Sequence, residues 1–144
     1  MIELMTMKKE YFRPVFDAIS SLRDGVELQF LKEGLEVSFL DDTKAVMCYV
    51  FIKSPREEPT AIKVQLSDWV NVVGIPKEDV IISLDNNKVN LQWSKKPKVS
   101  KSFSIYTDEK FNTYDMTKVL EKSKSYLTTK VVFDEIHAEH VNTL

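Results

Sequence analysis

The chain is short of the residues on which most enzyme chemistry rests: one cysteine, three glycines and two histidines in 144 residues. With Cys48 alone, no intramolecular disulfide can form, and its place in the apolar run Ala45 to Ile52 marks it as a buried structural thiol rather than a redox group. Gly25, Gly34 and Gly74 stand singly, so there is no glycine-rich loop of the kind that cradles phosphates. His137 and His140 fall in Glu135-Ile136-His137-Ala138-Glu139-His140, whose helical spacing suits zinc but which lacks a defined third ligand; a solvated helix face is the plainer reading. Asp41-Asp42 and Glu57-Glu58 sit in turns with no histidine near in sequence. The expectation is a protein that is not an enzyme and carries no cofactor or metal.

Long apolar runs are also missing. None approaches the roughly 20 residues that span a bilayer, and Met1 to Phe12 has neither the apolar stretch nor the cleavage site of a secretory signal. An intracellular protein outside the membrane is expected. Positive charge is not in excess, since 20 Lys and Arg face 22 Asp and Glu for a net charge of −2. A protein that coats nucleic acid through overall charge is therefore excluded, and any such contact needs cations segregated onto one face. The apolar fraction of 43% is ordinary, and the length suits one domain with an appendage.

What is present is a run of alternating and helical patterns. Ile2 to Thr6 reads as a short strand, and Phe12, Val15, Phe16, Ile19 and Leu22 recur at helical spacing with Arg13, Asp17, Ser20 and Ser21 off the stripe. Proline is tolerated in the first turn, so Pro14 predicts a helix starting near Tyr11 or Phe12 and ending near Asp24-Gly25. Val26, Leu28 and Phe30, then Leu35, Val37 and Phe39, alternate on either side of the Lys32-Glu33-Gly34 turn as two antiparallel strands. After Asp41-Asp42-Thr43 the continuous run Ala45 to Ile52 predicts a strand packed on both faces or joined to a neighbour at an edge.

Past the exposed loop Ser54 to Pro59, a strand Ala61 to Gln65 leads into a short helix with Leu66, Trp69, Val70 and Val73 on its apolar side. Ser67 or Asp68 is placed to cap that helix, and Gly74 and Pro76 to stop it. Strands follow at Val80 to Leu84, Lys88 to Trp93 and Val99 to Tyr106, separated by the turns Asp85-Asn86-Asn87 and Lys95-Lys96-Pro97. The order β-α-β-β-β-β-α-β-β-β with hairpin-length turns predicts an α+β domain, a largely antiparallel sheet with both helices on one side. Residues 107–144 differ in kind: a polar, lysine-dotted stretch, an apolar strand Leu127 to Phe133, and a helix-prone tail from Asp134.

Glu33-Gly34-Leu35-Glu36-Val37-Ser38-Phe39-Leu40-Asp41 resembles the (D/E)-G-(apolar)-x-(apolar)-x-x-M-D hairpin of the proliferating cell nuclear antigen family of DNA sliding clamps, with Leu40 in place of the methionine. Phe12 to Leu22, Val64 to Trp69 and Asp79 to Leu84 follow the same family in order and spacing. The resemblance implies the half-subunit fold of a DNA clamp. Residues 1–106 would be a clamp-like domain, 107–126 a connecting-loop-like segment, and 127–144 the start of a second repeat or an edge-pairing or swapped tail. Since the family's subunit has two such domains, the chain is expected to be either a fragment or a half-clamp.

For function the resemblance implies a DNA polymerase processivity factor, a ring scaffold acting in replication and repair. Its expected partners are sequence-independent double-stranded DNA, DNA polymerase and other clamp-binding proteins, a clamp loader, and further copies of itself. In the family the helices face DNA and basic residues neutralise phosphates. Carried over, Arg13 matches such a position, while Pro14, Ser20, Asn71 and Gly74 stand where the family usually has basic residues. Lys8, Lys9, Arg23 and Lys77 near the helix ends would compensate, and the DNA-facing set is Arg13, Lys8, Lys9, Asn71 and Lys77. The family's partner pocket maps to Leu40, Lys44, Ala45 and Met47, with Tyr114, Met116, Val119 and Leu120 from the connecting segment.

Lys44 to Lys53 and Lys98 to Tyr106 are the strand edges that the family uses to join domains and subunits. They would pair head to tail to close a ring of six copies, while Leu127 to Phe133 caps an edge or swaps into a neighbour; the alternative is that Lys98 and Lys101 are gatekeepers that keep the chain monomeric. The alternative function is a truncated clamp-like module that binds and modulates a full-length clamp or clamp loader. Solvated surface charge is the bland reading of each cation, and plain core that of Ala45 and Met47.

Overall fold

The computed structural model describes residues 1–41, 46–107, 111, 113 and 131–133, the last three by their backbone. The chain begins with β1 (Ile2–Met7) and α1 (Lys9–Leu22), followed by β2 (Gly25–Phe30), β3 (Gly34–Leu40), β4 (Met47–Lys53) and β5 (Thr60–Gln65). α2 (Leu66–Val73) leads into β6 (Val80–Asp85), β7 (Lys88–Lys95) and β8 (Lys98–Ser104), and a short β9 (Val131–Phe133) comes last. The α+β class and the antiparallel pairing of β1 to β8 agree with the sequence pattern. The strands divide between two sheets, one ordered β1-β6-β7-β8 and the other β5-β2-β3-β4-β9.

The helices are the crossings between those sheets. α1 carries the chain from β1 to β2 and α2 returns it from β5 to β6, so each sheet contains strands from both halves of the chain. A further link is the bridge after β8, where the Tyr106 N–H donates to the Lys63 carbonyl on β5 at 2.9 Å.

Both helices turn their apolar sides to one core. Tyr11, Phe12, Val15, Phe16 and Ile19 of α1 and Leu66, Trp69, Val70 and Val73 of α2 are buried with the inward residues of both sheets, among them Leu28, Val37, Phe39, Ile82 and Leu91. A line of ring contacts runs through this layer. Phe12 meets Phe16 edge-on at 5.1 Å, Phe16 meets Trp69 at 5.6 Å, and Trp69 lies 6.2 Å from Phe103, the one buried residue of β8. Edge-to-face geometry of this kind adds about 1 kcal/mol per pair to what burial itself contributes.

α1 starts at Lys9, earlier than Pro14 suggested. A helix from Lys9 makes Pro14 its sixth residue, so one bond to the Glu10 carbonyl is forgone. Both residues are exposed, and water can take that carbonyl.

Neither helix has a side-chain cap of its own. The Asp79 carboxylate, 70 residues away, accepts the Lys9 N–H at 3.0 Å; Asp24 accepts the Ser67 N–H on its carboxylate at 3.0 Å and the Leu66 N–H on its carbonyl at 3.1 Å. Each acid offers a negative charge to the positive end of a helix. Ser67 and Asp68, expected as caps, are inside the second helix, which stops at Gly74 in the left-handed region at φ 66°. Asp24→Ala and Asp79→Ala are each expected to cost about 1 kcal/mol, read as a lower urea midpoint with unchanged cooperativity.

Candidate functional site

Two surfaces carry the residues singled out from sequence. The first is the outer face of the five-stranded sheet. Strand alternation turns Glu36, Ser38 and Leu40 of β3 outward, and the antiparallel register sets Phe51, Tyr49 and Met47 of β4 opposite them in that order. Leu40, Met47, Tyr49 and Phe51 are each half-buried, forming an apolar patch on an otherwise polar sheet face. Leu40 and Met47 are thereby brought side by side. Lys44, Ala45, Tyr114, Met116, Val119 and Leu120 lie outside the described residues, as do His137 and His140.

Tyr49 and Phe51 were not singled out from sequence, because the unbroken apolar run concealed the alternation that puts Cys48, Val50 and Ile52 inward. Reading every second residue from Met47 would have found them. Cys48 packs against the core, and burial pushes its thiol up to about 11, so it stays protonated at neutral pH.

The segment after β8 is laid across the same face. Phe111 is buried over Gly25 and its ring lies 5.5 Å from that of Tyr106. The Thr113 hydroxyl donates to the Ser38 carbonyl at 2.8 Å, which leaves its oxygen to accept the Ser38 hydroxyl at 2.6 Å. Among the described residues beyond position 107, Phe111 and Thr113 meet the outer face at Gly25 and Ser38. A Cβ at position 25 would run into the Phe111 ring.

At the rim of this face Arg23 is committed to structure. Its Nε donates to the Gly25 carbonyl at 2.8 Å, and its guanidinium lies 5.6 Å over the Phe39 ring.

The second surface is the exposed side of the helices. Lys9 and Arg13 are its cations, Glu10, Asp17 and Asp68 its anions, and Asn71 lies exposed among them. Arg13 Nε is 3.2 Å from the Asp17 carboxylate, with both side chains about half exposed at 46% and 50%. Leu22, Val72 and Ile75 add apolar area, Ile75 being 77% exposed. The face is not net positive. Lys8 is half-buried before the first turn of α1.

Lys9 and Lys77 meet in a cleft of about 600 Å³ lined also by Glu3, Thr6, Glu78, Asp79, Ile81 and Lys95. Three lysines there face three carboxylates. Each acid already accepts a hydrogen bond: Asp79 from Lys9 N–H, Glu78 from Lys95 N–H at 3.0 Å, and Glu3 from the Thr6 hydroxyl at 2.7 Å. Among the described residues no group of three or more His, Cys, Asp or Glu could hold a metal ion, and no helix is long and apolar enough to cross a membrane.

Two predictions follow from the outer face. Burial, reinforced by the adjacent Glu36 carboxylate that accepts its hydrogen bond, pushes the Tyr49 hydroxyl up to about 12 from 10.0. The neutral phenol is the form the fold favours, so its contribution is complete below pH 10 and is lost as pH rises toward 12. Ultraviolet titration of the native protein should show a tyrosine ionising near that upper value, absent in Tyr49→Phe. Separately, Phe111→Ala should cost about 3 kcal/mol, and adding Gly25→Ala to it should cost less than Gly25→Ala alone, since the ring it strikes is gone.

No family model and no curated protein sequence matches this chain. Solved structures do. The PCNA2-PCNA3 complex from Sulfolobus tokodaii matches at a TM-score of 0.67 and 15% identity, over 78% of this chain and 50% of that one. PCNA from Thermococcus kodakaraensis matches at 0.66 and 11% identity, over 73% of this chain and 47% of the other. The chain spans about half the length of each. At these identities the likeness is one of fold: two antiparallel sheets and two helices in the clamp-type topology, covering most of the chain.

Proposed function

We propose that the chain is a clamp-type scaffold, a non-catalytic domain acting in replication and repair as a DNA polymerase processivity factor. The observation that carries this reading is the outer face of the five-stranded sheet. There the half-buried Leu40, Met47, Tyr49 and Phe51 lie beside a connecting segment pinned at Phe111 and Thr113. An apolar patch beside a polar segment is what a short docking motif from a polymerase-class protein needs. On this reading the chain is intracellular and works with DNA, its helix side toward the duplex, with a clamp loader and further copies as partners.

DNA contact on this reading is weak. Arg13 is the cation best placed on the helices, and Asp17 competes with phosphate for it. That observation favours a second reading, a clamp-like module that binds a full-length clamp or its loader and does not itself hold DNA.

Anisotropy of labelled duplex DNA across a salt series separates the two. The scaffold reading expects salt-dependent binding, a slope about one smaller in Arg13→Ala, and tighter binding in Asp17→Asn, where the competing carboxylate is removed. No binding at low salt, or an Arg13→Ala slope equal to the parent's, overturns the DNA contact. Stoichiometric binding to a purified clamp without DNA association establishes the module. Leu40→Glu and Met47→Glu should abolish capture of a clamp-binding peptide under the first reading and leave DNA binding unchanged.

A further inference from the structure

Among the described residues, the buried side-chain nitrogens that lack a hydrogen-bond partner both belong to one side chain, Arg56 at Nε and Nη1. A buried N–H without an acceptor has given up its bond to water and gained none in return, so native folds hold few of them. A guanidinium is the costlier case, because it cannot shed its charge.

Arg56 stands in the loop between β4 and β5, and the backbone of that loop is firmly placed. The Arg56 N–H donates to the Lys32 carbonyl at 2.9 Å and the Ser54 N–H to the Glu33 carbonyl at 3.1 Å, which ties the loop to the turn between β2 and β3. Gly34 permits the close approach, since a Cβ there would run into the Ile52 carbonyl. The backbone is thus fixed where the side chain is unsatisfied. Glu33, Glu57 and Glu58 are the nearest carboxylates in sequence; all three are exposed, and none accepts from Nε or Nη1.

Beside the loop is a hollow of about 290 Å³ lined by Gln29, Leu31, Pro59, Thr60 and Ala61. Gln29 and Ala61 face each other across β2 and β5, toward the opposite end of the strands from Leu40 and Met47. Hollow and loop share their walls: Leu31 precedes Lys32, whose carbonyl holds Arg56, and Pro59 ends the loop.

We infer that the hollow and Arg56 form a docking site for an acidic peptide segment of a protein partner, an apolar side chain filling the hollow and a neighbouring aspartate or glutamate taking the guanidinium. Two guanidinium nitrogens are already out of water in the free protein, so a carboxylate that pairs with them replaces no solvent there and relieves a strain that the unbound fold carries. Arg56 as a whole is only partly buried, so the turn of its side chain toward such a carboxylate is a local one. The three exposed glutamates decide the class of partner. They repel an extended polyanion such as a nucleic-acid backbone and tolerate a single carboxylate set beside an apolar residue. The site is separate from the Leu40 and Met47 patch and does not rest on the DNA reading.

The test uses the full-length chain and labelled octapeptides on a glycine-serine background, each carrying one leucine and one glutamate at spacings of one to four residues, with a glutamine counterpart for each. Anisotropy should find at least one glutamate peptide bound about tenfold more tightly than its counterpart, a difference that Arg56→Met removes. The Arg56 Nε–H signal in nitrogen-edited NMR should move with that peptide and stay in place with duplex DNA. Ala61→Tyr, which fills the hollow from an exposed position, should weaken both peptides of the pair, and Leu40→Glu neither. Arg56→Met should also raise the urea midpoint, because it keeps the apolar stem and removes the unsatisfied donors.

Equal binding of glutamate and glutamine peptides at every spacing overturns the proposal. So does Ala61→Tyr binding like the parent, or sodium acetate moving the Arg56 signal at the same concentration as the best peptide, since the hollow then contributes nothing. A signal moved by duplex DNA assigns Arg56 to phosphate instead. An unchanged or lower urea midpoint in Arg56→Met means that the guanidinium is already satisfied by water in solution, which removes the premise.

Discussion

The structure depends on one apolar layer, and Trp69 is its junction. Its indole touches Phe16 on the other helix and Phe103 on the last strand of the four-stranded sheet, so a single buried side chain on α2 joins both helices to that sheet. The same layer takes the inward residues of the second sheet. Because each helix gives only one side to that layer, its remaining side is left to solvent. Core packing thus decides which surfaces can meet a partner before any surface residue is chosen.

The two available surfaces differ in how they are finished. The outer sheet face is partly closed, with a tyrosine tied to a glutamate, the Thr113 hydroxyl bonded to Ser38, and Phe111 buried over Gly25. Its apolar residues are neither sealed as core nor freely exposed. The helix side is finished with paired and opposing charges, and so presents no strong field. Specific recognition by shape is easier to build on the first surface, and only diffuse electrostatic contact on the second.

Much of this was legible in the sequence, since alternation and helical spacing report which side of each element faces the core. The pattern beginning at Phe12, that of Leu66 to Val73, and the strands around Gly34 all stand where those periods put them. α1 starts earlier than the first-turn preference of proline at Pro14 implies, because an exposed helix tolerates one forgone bond to an exposed carbonyl. Alternation cannot say which sheet a strand joins, and so the division into two sheets was not visible. In the candidate site Leu40 and Met47 came from the resemblance, and the structure brings them together. Tyr49 and Phe51 were hidden by a run in which both faces are apolar. That the apolar segment before Asp134 meets an edge was foreseeable; its parallel direction follows from no local pattern.

The remote caps bear on the order in which this molecule assembles. The carboxylates that complete α1 and α2 arrive from 70 and 43 residues away, and β1 finds its partner β6 across a similar span of chain. Neither helix is finished until the loops enclosing it have closed, and an isolated helix of 14 or eight residues is marginal in water. The helices are therefore products of the sheets rather than seeds for them. In a chain built this way, completing the helix ends waits on closing the long loops, the step whose entropy weighs most on folding.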